Sequence, residues 1–147
     1  TYGKQNRRKQ MYRVYDKKET TWVKENIYLA PNNDLYLAKK NLLGNMTLSL
    51  ISDNRYVYQI DTGLLDKNKQ LIFEGDICKA IQSGMVGLIS YSSDYGAYVF
   101  LDYTEHKWYP LGKEICLNNI EVVGNIFDNP ELIPDSQEDK EDGQQTL

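Results

Sequence analysis

Apolar and polar positions alternate with a period of two along much of this chain, the signature of strands with one face buried. The clearest case is residues 55–61, where Tyr56, Tyr58 and Ile60 fall on one face and Arg55, Val57, Gln59 and Asp61 on the other. Thr62-Gly63 breaks that pattern, because glycine takes a positive φ that β-branched residues resist. Leu64-Leu65 is too apolar for a free loop and is expected to tuck under the core. Asp66-Lys67-Asn68-Lys69 then makes a solvated reversal, and Leu71-Ile72-Phe73 returns to the core. Glu74-Gly75-Asp76 turns again into a strand over residues 77–81.

Earlier in the chain, residues 12–16 read as a first strand, with Tyr12 and Val14 opposed to Arg13 and Tyr15; Trp22-Val23 resumes after a turn. Residues 27–30 and 35–38 form a near-repeat around Pro31-Asn32-Asn33-Asp34, which a hairpin explains. The competing reading makes Asp34 the N-cap of a helix ending at Gly44. Residues 46–51 give a further strand. Beyond Ile81 the apolar runs are short and evenly spaced, as in a small barrel or sandwich, and Gly87 marks a bulge or a close backbone approach. Residues 117–127 close that structure, with Ile120, Val122 and Ile126 on one side. Asn129 is expected to cap a helical turn with Pro130 at its first position, and Leu132-Ile133 to plug an open end.

Residues 62–64 (TGL), 66–68 (DKN) and 72–77 (IFEGDI), with 122–132 (VVGNIFDNPEL), resemble the YopX family of phage and prophage proteins. Residues 12–16 (YRVYD) resemble the start of such proteins, so the likeness spans residues 11–133. Lys69 departs from the family's usual glycine after Asn68, which disfavours a two-residue Asn-Gly hairpin. The resemblance implies a β-rich fold whose second half is an SH3-like barrel, in a family without an established biochemical role. The expected fold class is therefore mainly β, with α+β as the alternative: an N-terminal antiparallel meander followed by a small SH3-like barrel. The expected divisions are a basic arm over residues 1–10, a β-rich subdomain over 11–62, the barrel over 63–133 and an acidic disordered tail over 134–147.

Composition agrees with β structure: twelve Tyr accompany three Phe and two Trp in alternating runs. The net charge of −4 hides opposed ends. Lys4, Arg7, Arg8 and Lys9 make the start basic, while Asp135, Glu138, Asp139, Glu141 and Asp142 make the tail acidic. The intervening body is itself acidic, which argues against tight duplex binding. No run of apolar residues is long enough to span a membrane and no signal-peptide pattern opens the chain, so the expectation is a cytoplasmic protein of a bacterial host. Cys78 and Cys116 show no CxxC spacing and are expected to be reduced thiols, with a disulfide between them as the lesser alternative.

Groups able to carry chemistry are few. His106 is the single histidine and falls in an expected hairpin turn. Glu74 and Asp76 could form a carboxylate pair, although turn chemistry accounts for both, with Glu74 facing water. Asp128, Asn129 and Glu131 are explained by helix capping. No catalytic residue, metal ligand or cofactor is assigned, and the chain is expected not to be an enzyme. The feature with a functional look is aromatic: Tyr91, Tyr95, Tyr98, Tyr103, Trp108 and Tyr109 are candidate binding residues, with Tyr95 expected in an exposed loop. Core and cross-strand packing explains most of these rings individually. The leading expectation is a protein-interaction module for a host or phage protein. The alternative is a nucleic-acid accessory protein using Lys4, Arg7, Arg8 and Lys9. Exposed edge strands leave a homo-oligomer open under either.

Overall fold

In a computed structural model, which describes residues 9–112 and 115–134, the chain is mainly β. The acidic tail from residue 135 and the arm residues Lys4, Arg7 and Arg8 lie outside the described residues. The chain divides into two compact units, residues 1–60 and 61–147.

The first unit holds β1 (Tyr12–Asp16), β2 (Thr21–Val23), β3 (Ile27–Leu29), β4 (Leu35–Lys40) and β5 (Met46–Leu50). It also holds the first half of β6 (Tyr56–Leu65), a strand that ends in the second unit. β1 lies antiparallel to β2 and to β6, with Val14 opposite both Val23 and Tyr58. A separate three-stranded sheet runs β3-β4-β5. The Pro31–Asp34 segment is a hairpin turn, not a helix N-terminus: Asn33 takes a φ of 69° and Ala30 N donates to Asp34 O at 2.8 Å. Side chains from both sheets close one core in which Val14, Ile27 and Leu35 are buried, surrounded by Val23, Leu29, Leu37 and Tyr58.

In β6 the expected polarity of the faces is not what is observed. Gln59 and Asp61 are buried while Tyr56, Tyr58 and Ile60 are only half-buried. Gln59 keeps its amide satisfied, because its Oε1 accepts from Arg13 Nε at 2.9 Å. Thr62-Gly63 does not end the strand either. The backbone bulges there, with Gly63 at a φ of 78°, and pairing with β7 (Leu71–Phe73) resumes at Leu65.

The second unit is built on a curled antiparallel sheet of order β11-β10-β9-β8-β12, comprising β8 (Asp76–Ala80), β9 (Val86–Ser92), β10 (Ala97–Asp102), β11 (Lys107–Pro110) and β12 (Ile120–Asn125). Its core is Ile72, Cys78, Ile89, Phe100, Ile115 and Ile120. Leu64 packs on this core as expected, whereas Leu65 is exposed. The 66–69 reversal is not simply solvated: Asp66 is 2% exposed and accepts from the N–H groups of Asn68, Gln70 and Val122 at 2.8, 2.9 and 3.0 Å. Lys69 sits at a φ of 63°, the conformation that glycine would adopt without strain.

β12 carries a bulge between Val122 and Gly124, so Ile126 does not continue the face of Ile120; it is exposed in the following turn. Pro130–Leu132 forms one 3₁₀ turn, but the Asn129 side chain does not cap it. Its Oδ1 accepts instead from Asn125 N at 3.3 Å. Asn125 in turn accepts from Phe127 and Asp128 N–H and donates to the Asp128 carboxylate at 2.9 Å. Leu132 remains exposed rather than plugging an end. No helix among the described residues is long and apolar enough to cross a membrane.

Candidate functional site: an aromatic and acidic patch

Directly opposed residues in an antiparallel ladder share a face, so register decides which of the six candidate aromatics meet. Tyr91 of β9 stands opposite Tyr98 of β10, with Ile89 opposite Phe100 next along the same face. The Tyr91 and Tyr98 rings meet edge to face at a centroid distance of 5.4 Å. Tyr98 is half-buried, whereas Tyr91 is 51% exposed. Tyr95 lies in the tight β9–β10 turn at this end of the hairpin and is exposed, its N–H donating to Ser92 Oγ at 3.4 Å.

The other three are placed differently. Tyr109 pairs with Phe100 and packs against the core. Trp108 pairs with Leu101 and so occupies the opposite face, where it is 44% exposed. Tyr103 follows β10 at the far end, about 16 Å along the strand from Tyr98. The set is therefore not one surface. Tyr91, Tyr95 and Tyr98 form a group at one end of the β9–β10 hairpin; Tyr109 shares the face of Tyr91 and Tyr98 further along, and Trp108 and Tyr103 belong elsewhere.

Glu74 joins that group. It precedes Gly75 in the β7–β8 turn, and Gly75 N donates to Ile89 O at 2.8 Å, which pins the turn beside β9. Glu74 does not face water as expected; it is half-buried, and burial pushes its carboxyl above the ordinary range. The phenol of Tyr98 is also pushed up, first by burial and then by the negative charges of Glu74 and Asp61. Asp61 is 2% exposed and accepts from Gly63 N at 2.8 Å. Asp76, by contrast, is spent on the turn, accepting from Phe73 N at 2.8 Å. The arrangement is a partly desolvated carboxylate near an edge-to-face pair of phenol rings, a surface that favours cations by charge and by ring quadrupole. The sequence signal for it was the Glu74-Gly75 turn, but only tertiary pairing brings it beside Tyr98.

His106 stands exposed in the β10–β11 turn at a φ of 54°. Lys9, the described member of the basic arm, is exposed and lines a cavity of about 290 Å³ with Met11, Tyr12, Leu29 and Pro31. Among the described residues no group of three His, Cys, Asp or Glu side chains is placed to hold a metal ion. Cys78 and Cys116 are both free thiols, the first buried and the second exposed.

Two solved structures share this architecture. A protein from Enterococcus faecalis is 24% identical at a TM-score of 0.54, covering 85% of this chain and 98% of its own. The yopX protein from Bacillus subtilis is 14% identical at a TM-score of 0.52, covering 84% and 97%. At such identities the likeness concerns the fold. No curated protein matches the chain. The YopX protein family model matches residues 11–134, and the chain belongs to that family.

Proposed function

We propose that this chain is a non-enzymatic, phage- or prophage-encoded protein-interaction module that receives a cationic side chain of a host or phage protein on the Tyr91–Tyr98 pair. The observation that carries this reading is the edge-to-face Tyr91–Tyr98 pair with the turn that bears half-buried Glu74 pinned against β9 by the Gly75 N to Ile89 O bond. A guanidinium or ammonium set over Tyr91 would gain cation–π attraction and the Glu74 charge in a site already partly dry. The acidic body supports a basic partner protein over a phosphate backbone, whose approach this patch opposes. Tyr95 at the adjacent turn would add apolar contact at the rim.

The test is fluorescence anisotropy of the full chain with labelled Arg- and Lys-bearing peptides, the same peptides with glutamine at the basic positions, and single-stranded DNA. Binding that needs the basic residue and weakens about tenfold or more in Tyr91→Ala and in Glu74→Gln supports the reading. Preference for DNA, lost steeply with salt, would replace it with the nucleic-acid role.

A further inference from the structure

The β3-β4-β5 sheet ends in a strand built unlike the others. Every residue of β5 is exposed, its apolar members among them: Met46 by 58%, Leu48 by 60% and Leu50 by 56%. Register places these three on one face, opposite Lys40, Ala38 and Tyr36. The remaining two, Thr47 and Ser49, lie on the other face opposite Lys39 and Leu37. β5 contains no charge, no proline and no bulge, the devices by which sheet edges are ordinarily protected.

The backbone of β5 is also half used. Ile51 N donates to Leu35 O and Asn41 N donates to Asn45 O, both at 2.9 Å. By the alternation of an antiparallel ladder, Thr47 and Ser49 therefore direct their main-chain groups toward β4, and Met46, Leu48 and Leu50 direct theirs outward. Among the described residues no strand pairs with that outer edge.

We infer that β5 pairs antiparallel with β5 of a second copy of this chain, about a two-fold axis at Leu48. The occupant is specified by the strand itself, because its sequence MTLSL is symmetric in polarity about its centre. In that register Leu48 meets Leu48 of the other copy and Met46 meets Leu50, apolar on apolar. On the reverse face Thr47 meets Ser49, hydroxyl on hydroxyl. The three outward residues are also the ones that the register brings into hydrogen-bonded pairs, so each donates and accepts across the axis. An isologous contact of this kind closes at two copies.

The experiment is sedimentation equilibrium of the full chain from low to high micromolar concentration. Wild type is expected to dimerise reversibly. Leu48→Pro removes an outward N–H while sparing the ladder to β4, and should weaken association about tenfold or more with the far-ultraviolet spectrum retained. Two double variants fix the register. Met46→Lys with Leu50→Glu sets opposite charges across the axis and should associate. Met46→Lys with Leu50→Lys sets like charges there and should be monomeric. Wild type that stays monomeric throughout overturns the inference, as does a dimer indifferent to Leu48→Pro or equal association by the two double variants.

Discussion

Arg55 closes on Asp16 through two parallel bonds, Nε to Oδ1 at 2.9 Å and Nη2 to Oδ2 at 2.6 Å. The pair joins residues thirty-nine positions apart, at the point where β1 ends and β6 begins. Arg55 also lies over the Tyr56 ring, 4.9 Å from its centroid. The same Asp16 Oδ1 accepts from Lys18 and Glu19 N–H, so one carboxylate fixes both the turn after β1 and the entry to β6.

The Arg55 contact, reinforced by those two backbone donors, lowers the Asp16 carboxyl from 3.8 to about 2. A depressed carboxyl favours the folded state above its unfolded value, and that contribution is lost as pH falls through the folded one. Stability of the first unit should therefore decline between about pH 4 and pH 2. In a Trp108→Phe background, Trp22 fluorescence reports that unit alone. Asp16→Asn should remove most of the decline, and a wild-type profile flat across this window would contradict the assignment.

Asp66 holds three backbone N–H groups from two separate segments, the 66–70 turn and β12. Asp66→Ala leaves all three without their acceptor in a buried site and should cost about 3 kcal/mol or more. Asp66→Asn keeps the shape and one good acceptor oxygen, and should cost less than half as much by the same measure. Urea denaturation of the two variants gives both numbers; equal losses would mean that volume rather than hydrogen bonding is what Asp66 supplies.

These carboxylates mark the limit of what the residue pattern reveals. Alternation locates the strands, and the Pro-Asn-Asn-Asp turn locates the β3–β4 hairpin, because both are local consequences of side-chain direction and backbone preference. In the sequence Asp66 and Asp76 read as turn residues and Asp16 and Asp61 as polar strand positions, yet each is buried. Each satisfies nearby backbone N–H groups, as turn chemistry implies for Asp66 and Asp76, while the burial depends on strands paired from elsewhere. The candidate site follows the same division. Tyr95 in an exposed turn was legible, but whether Tyr91, Tyr98 and Trp108 share a face depends on register, and the pairing of β11 with β10 sets Trp108 apart. The edge character of β5 was hidden because its alternation is that of any half-buried strand.

Gly87 realises the close approach that its position in a strand implied. The β9–β10 ladder runs through it without a bulge, opposite Asp102. A Cβ there would lie 2.5 Å from Leu101 O and 2.5 Å from Phe100 Cε1. The first is backbone and the second belongs to a fully buried ring, so neither can yield cheaply. Gly87→Ala should destabilise the second unit by about 3 kcal/mol, seen as an earlier denaturation midpoint. The same substitution at Gly84 tests a different cause, since nothing lies within 4 Å and only its φ of 75° resists a side chain. Gly84→Ala should therefore cost about 1 kcal/mol.

The two thiols differ by environment rather than by sequence. Cys78 is wholly buried in β8, paired with Val122 of the neighbouring β12, and burial pushes its thiol well above the ordinary range, with Asp76 and Asp66 adding to the same direction. A thiol so held is neither accessible nor ionised near neutrality, and reactivity requires the thiolate. Cys116 is exposed and lines a cavity of about 420 Å³ with Met85, Asn118 and Asn119. With an aromatic disulfide reagent at pH 8, the native protein should therefore release one equivalent quickly, and Cys116→Ser should abolish that phase. The second equivalent should appear only in denaturant, at a rate that follows opening of the core around Ile72 and Phe100. Rapid reaction of both thiols in the native state would show that the core around Cys78 opens far more readily than its packing implies.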